Sequence, residues 1–380
     1  MKLLRFLVFV LLMLFSVVVL GPVPDNYTLE CISQPTTVID LSPTLKQKPV
    51  IGASAAILYE PKSKTILFSK KAETERAPAS TTKIMTAILT LERCALDEVV
   101  TISRKASRVG GSQVGLKEGE KHSVEELLWS LLLVSGNDAA IALAEHIAGS
   151  VEKFAIYMNT RARELGCQNT NFVNPHGLSA PGHYSSVYDL ALITAHALQY
   201  PFFQEMVSAK EKEIPWSQSW DRYLKNTNKL LWILEGADGV KTGTTNLAGA
   251  CLVSSASKDG RQLIAVVLNS RDRWVESARL LKWGFDNFAC QLVIGKTETI
   301  PDVYVNNGKY FAVGNTNKDI YVTIPKGVQP IIKFHPYELH APVLKEQIIG
   351  VLEVGPILGQ TSKQPVYSSF KVGKKNFFRK

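Results

Sequence analysis

No two cysteines in this chain form a Cys-x-x-Cys pair, and their number is odd: Cys31, Cys94, Cys167, Cys251 and Cys290. Neither a disulfide framework nor a zinc site is indicated, and buried thiols are the expectation. Internal repeats are also lacking. With 46% hydrophobic and 20% charged residues, the composition gives no reason to expect disorder. The apolar run from Phe6 to Leu20 is about 15 residues, short for a spanning helix. With Lys2 and Arg5 before it, it reads instead as an export signal over Met1–Gly21. No small-x-small site follows the run, which leaves two readings open, cleavage near Gly21 and an uncleaved N-terminal anchor. Cys31 stands well beyond the run and does not resemble a lipid-attachment site.

At 380 residues the chain is long enough for two domains. Its net charge of +9 would suit nucleic acid inside a cell. After an export signal it points instead to anionic lipid or an anionic wall, and no nucleic-acid partner is expected.

The organising stretch is Ala79-Ser80-Thr81-Thr82-Lys83. Residues three apart share a helix face, so Ser80 and Lys83 can meet. Pro78 suits a helix start, and Ile84, Met85, Ala87, Ile88, Leu89 and Leu91 supply a buried stripe ending near Arg93. In the first turn, the positive end of the helix dipole favours a serine that is losing its proton.

A polar leader, residues 22–49, precedes two strands, Ala53–Tyr59 and Thr65–Ser69. Val99–Ser103 is a further strand candidate, and Arg108–Gln113 is a loop. Ser123 and Glu126 form a capping box before a helix that breaks at Ser135-Gly136-Asn137. A second apolar helix restarts at Asp138. Ser150 caps the next, which stops at Gly166. Asn174-Pro175-His176-Gly177-Leu178 is a loop, and Tyr188–Ala197 is helical. Lys241-Thr242-Gly243-Thr244 leads into strands Ala248–Ser255 and Leu263–Leu268, which turn at Asp259-Gly260. Trp274–Phe288 is a final amphipathic helix. Hairpins at both ends with helices between predict an α+β fold, an antiparallel sheet with helical layers over residues 50–290. Short alternating runs over 291–367 predict a second, all-β domain. The tail 368–380 mixes Lys371, Lys374, Lys375, Arg379 and Lys380 with Phe370, Phe377 and Phe378 and carries no acid.

Ser-x-x-Lys on a helix start, Ser-x-Asn between helices and Lys-Thr-Gly on a strand, in that order, are the signature of penicillin-recognising serine enzymes, with Gly136 here in place of the Asp of Ser-Asp-Asn. From Ala53 to Phe288 the chain resembles the low-molecular-mass D-alanyl-D-alanine carboxypeptidases, the S11 serine peptidases. Ala79–Thr86, Ser135–Ala140, Asn174–Leu178, Gly239–Gly243 and Lys282–Phe285 carry the likeness. The resemblance implies a β-lactamase-like fold and removal of the terminal D-alanine from a peptidoglycan stem peptide through an acyl-enzyme on Ser80. β-Lactams would be covalent inhibitors, and no cofactor or metal is called for. It implies Lys83 as base, Lys241 and Ser135 as its relay, Asn137 orienting the substrate amide, and backbone N–H groups of Ser80 and Thr244 holding the oxyanion. For the substrate's carboxylate it implies Thr242 as hydroxyl and Arg271 as cation, with Gly243 beside them and Arg273 as the fallback.

His176 is not needed as a base, and Asp138 and Asp189 are expected to brace neighbouring helices. A β-lactamase would need a deacylating glutamate that Asn174–Leu178 does not supply. Endopeptidase action on cross-linked wall peptides, and a non-catalytic wall-binding scaffold, remain the competing functions. For the tail, peripheral contact with a membrane and a solvated end both stay open.

Overall fold

A computed structural model of the chain describes residues 47–217, 220–357 and 360–375. The expected signal at Met1–Gly21, most of the leader with Cys31, and the last five residues of the tail lie outside them. Among the described residues no helix is long and apolar enough to cross a membrane.

The central sheet has five strands: β1 Ala55–Glu60, β2 Thr65–Lys70, β3 Ala237–Thr245, β4 Gly249–Lys258 and β5 Arg261–Leu268. They lie in the order β2-β1-β5-β4-β3, every neighbouring pair antiparallel. All six residues of β1 are buried, because alternate side chains enter two cores. Ala55, Ile57 and Tyr59 face a helical layer, while Ala56 and Leu58 face the last helix. The turn from β4 to β5 places Asp259 and Gly260 at φ 52° and 72°, the left-handed pair that a two-residue hairpin needs.

The helices that matter for the site are α1 Lys83–Arg93, α2 Val124–Leu133, α3 Asn137–Ala148, α4 Val151–Glu164, α5 Val187–Ala197 and α6 Arg273–Asn287. The capping box at Ser123 forms in both directions. Ser150 caps α4 by accepting from the Lys153 N–H at 3.2 Å. The α1 to α5 layer packs on one face of the sheet and α6 on the other. α6 comes close because Gly284 has no side chain: a Cβ there would stand 2.6 Å from Leu58 Cδ2 and 2.7 Å from Leu263 Cδ1.

Phe288–Ile294 pairs antiparallel with Ile320–Pro325. Beyond it, a second five-stranded sheet runs in the order Ile300–Val303, Ala312–Asn315, Gln360–Ser368, Ile348–Ile357, Ile332–Pro336. Its own core includes Ile300, Val322, Ile349, Val354 and Val366. The expected α+β fold with a C-terminal all-β region is the one that forms.

Candidate active site

Ser80 does not sit in an α-helix. Ala79–Thr82 form a tighter 3-10 turn, and α1 begins only at Lys83. Ala79 is held at φ 49°, a strained left-handed conformation for a residue with a side chain. Two glycines clamp this turn. A Cβ on Gly177 would lie 1.8 Å from the Ala79 carbonyl oxygen, and one on Gly243 would lie 2.9 Å from the Ser80 nitrogen. The His-Gly-Leu loop and the Lys-Thr-Gly strand therefore meet the serine through bare backbone.

Lys83 is wholly buried. Its Nζ lies 3.0 Å from Ser80 Oγ, 2.7 Å from Asn137 Oδ1 and 2.8 Å from the His176 carbonyl oxygen. The last two can only accept, whereas a hydroxyl can also donate. An ammonium would donate to all three, whereas a neutral amine gives two N–H bonds to Asn137 and His176 and turns its lone pair toward the Ser80 O–H. The electrostatics favour the neutral form. Burial and the neighbouring Lys241 hold the Lys83 amine well below the ordinary lysine range, against a smaller opposing pull from Asp138. Burial, with Arg273 nearby, pushes Lys241 down to about 7.

Asn137 opens α3, and its amide is fixed by what it touches. Besides accepting from Lys83, its Nδ2 donates to the Gly110 carbonyl at 2.7 Å and its backbone N–H to the Ser112 carbonyl at 2.8 Å. Asp138 completes the grip on this loop by accepting from the N–H groups of Val114, Gly115 and Leu116 at 2.8 to 3.1 Å. Gly136 fits this arrangement, since a Cβ there would stand 2.8 Å from Asp138 Oδ1. Ser135, buried at the helix break, has φ 65°. Asp189 likewise braces a loop, accepting from the Asn169 N–H and the Thr170 hydroxyl, both at 2.7 Å.

Burial lowers the His176 ring to about 3, with Lys83 adding to the shift. It stays neutral and accepts the Leu178 N–H at 3.1 Å. Its contribution to the site is its carbonyl, a role with no signal in the residue type.

The two candidate cations differ in placement. Arg271 is exposed, while Arg273 Nη1 reaches Thr244 Oγ1 at 2.9 Å and the Gly243 carbonyl at 2.8 Å. The cause is local. Asp272 caps α6 by accepting from the Val275 N–H, so Arg273 is the first helical residue. Side chains on a helix lean toward its N-terminus, and that tilt aims Arg273 at β3, leaving Arg271 in the connecting turn. The hydroxyl beside this cation is Thr244, since Thr242 Oγ1 pairs with Thr227 Oγ1 at 2.8 Å.

A serine against a buried lysine, on an antiparallel sheet with helical layers, defines a class, the penicillin-recognising serine enzymes. Penicillin-binding protein 5 from Haemophilus influenzae superposes with a TM-score of 0.80 at 33% identity, covering 87% of this chain and 100% of that one. Residues 42–272 match the S11 peptidase family, described as D-alanyl-D-alanine carboxypeptidase. The D-alanyl-D-alanine carboxypeptidase DacF of Bacillus subtilis is 36% identical over 314 residues, 79% of this chain and 80% of that protein. DacA of Escherichia coli, also a D-alanyl-D-alanine carboxypeptidase, is 36% identical over 354 residues, 87% and 86% of the two chains. The chain belongs to this S11 family of low-molecular-mass penicillin-binding proteins, a family that acts on the cell wall.

The depressed Lys241 carries a stability consequence. Unfolded, its amine titrates near ~10.4; folded, near about 7. Between those values the unfolded chain binds more protons, so stability rises with pH across that window, and the burial penalty is fully present below it. Lys241→Met is expected to raise Tm at pH 7, by roughly 2–4 °C for each kcal/mol recovered. The advantage over wild type should shrink as pH approaches 10. Thermal unfolding across that range checks it, and an advantage independent of pH would contradict the buried charge.

Proposed function

We propose that this protein is a serine-type D-Ala-D-Ala carboxypeptidase acting through an acyl-enzyme on Ser80. The observation that carries the reading is the Ser80 Oγ to Lys83 Nζ contact of 3.0 Å, with the other two Lys83 partners unable to donate. The Ser80 proton passes to Lys83 as Oγ attacks the carbonyl carbon of the penultimate D-alanine. The backbone N–H groups of Ser80 and Thr244 receive the oxyanion, each such donor being worth ~2.7 to 4 kcal/mol. Asn137 keeps one spare amide hydrogen for the substrate's own amide.

Collapse of the tetrahedral intermediate breaks the peptide bond, and the leaving D-alanine amine takes the proton that Lys83 received, relayed through Ser135 and Lys241, which leaves Lys83 neutral again. Lys83 then takes a proton from the water that attacks the ester and returns it to Ser80 Oγ as the shortened stem peptide leaves. A β-lactam would form the same ester, but its amine stays tethered to the acyl group and obstructs the water. Arg273 and Thr244, rather than Arg271 and Thr242, bind the terminal carboxylate, because they are the pair joined at the open end of β3.

Residues 50–290 would carry the chemistry, with the β-rich residues 291–367 as a separate module. An export signal fits an enzyme working at the outer face of a bacterial membrane. Peripheral attachment through the basic, aromatic C-terminal tail is part of this reading.

Mass spectrometry of a disaccharide pentapeptide ending in D-Ala-D-Ala, after incubation with the full chain, tests the activity. Loss of one alanine is expected, falling by a factor on the order of 10⁴ or more in Ser80→Ala. An unchanged pentapeptide with cleavage of cross-linked dimers would point to an endopeptidase instead.

Arg273→Ala should raise KM for a substrate with a free terminal carboxylate far more than for the corresponding amide, while Arg271→Ala leaves both nearly unchanged. Steady-state kinetics on the two substrates checks this, and equal effects of Arg273→Ala on both would remove the assignment.

A further inference from the structure

Away from Ser80, at the opposite ends of α1 and α3, three side chains of different chemistry converge. Cys94 is the residue on which α1 ends, Glu98 lies in the turn before the Val99–Thr101 strand, and His146 is in the last turn of α3. One ligand atom from each lies within 4.8 Å of the other two. The Glu98 and His146 pair is closest, with Oε2 and Nε2 2.9 Å apart.

A local hydrogen bond orients the Glu98 carboxylate. Glu98 Oε1 accepts the Ala95 N–H at 2.6 Å, which turns Oε2 toward His146. The Cys94 backbone is tied by its N–H to the Thr90 carbonyl at 3.0 Å. The adjacent cation, Arg93, lies over the Tyr157 ring, 4.5 Å from its centroid. An ion pair accounts for Glu98 and His146 but gives the thiol no role. Beside a carboxylate and half-buried, the thiol is held up at about 11, burial being the larger cause.

We propose that Cys94, Glu98 and His146 form a binding site for a zinc-like divalent metal that ties the far ends of α1 and α3 together. Thiolate, imidazole and carboxylate are all zinc donors, at ~2.0 to 2.3 Å from the metal, which puts them about 3.2 to 3.7 Å from one another in a tetrahedron. From the present spacing the Glu98–His146 pair must widen from 2.9 Å, the three ligand atoms otherwise lying within 4.8 Å of one another. On binding, the thiol proton is released to solvent, the His146–Glu98 hydrogen bond opens, the hydrogen it held on Nε2 passes to solvent or to Nδ1, and the Nε2 lone pair so freed goes to the metal. Water takes the fourth position. The near ends of the same two helices carry Lys83 and Asn137, whose hydrogen bond is 2.7 Å. The metal would thus fix the two helices that frame the reactive serine.

The spacing of the cysteines conceals such a site, because its ligands come from two helices and the turn between two elements. The test is titration of the metal-stripped full chain with Co²⁺, followed by displacement with Zn²⁺. The expected result is a near-ultraviolet thiolate-to-cobalt charge-transfer band at one equivalent, lost on adding zinc, together with a zinc-dependent rise in Tm. Cys94→Ser should abolish the band and the Tm rise, and His146→Ala should weaken binding by roughly tenfold or more. Both variants should keep release of D-alanine, which shows that they are folded. No band at millimolar Co²⁺, or a band that survives Cys94→Ser, would overturn the proposal.

Discussion

Everything in the site depends on a lysine amine that has been removed from water. Lys83 has no exposed surface, and an isolated ammonium there would carry a large desolvation cost. Two acceptors that cannot donate and one hydroxyl that can are its partners. Burial, and then Lys241, bias the equilibrium toward the neutral form, whose lone pair can face that hydroxyl. A residue that is ordinarily an ammonium is thus driven toward the uncharged amine.

The rest of the structure serves that contact by fixing the groups around it. Gly177 and Gly243 let two backbone segments close on the Ser80 turn. Asn137 joins α3, Lys83 and the Gly110–Ser112 loop, and Asp138 holds the remainder of that loop. Backbone strain is present within the site, at Ala79 and Ser135. It is sustained because the packing around both residues determines their conformations more strongly than local preference does. Arg273 supplies the positive charge at the end of β3 and also disfavours a second one on Lys241.

Much of this was legible in the residues. The capping box at Ser123, the Asp259-Gly260 turn, the helix break at Ser135–Asn137 and the strand under Lys241 depend on local chemistry. So does the approach of Ser80 to Lys83, which needs only spacing. What the sequence concealed depends on tertiary contact. The 3-10 turn arises because Ala79 is clamped by Gly177 and Gly243, which are distant in the chain. The hairpin of Glu211–Ser217 and Trp220–Lys225 escaped notice because Pro215 and the charges interrupt any alternating pattern. The different placement of Arg271 and Arg273 depends on where α6 begins, a matter of one capping aspartate. The His176 carbonyl could not have been found at all, since every residue carries one.

The central claim is that Lys83 is neutral where an ordinary lysine is charged, and heteronuclear NMR titration of the lysine amines tests it most directly. One resonance, absent in Lys83→Arg, should titrate well below the ordinary lysine range, and should move upward when Lys241 is replaced by methionine. If the Lys83 resonance titrates near ~10.4 like a free lysine, Lys83 is an ammonium at neutral pH and cannot be the base that activates Ser80.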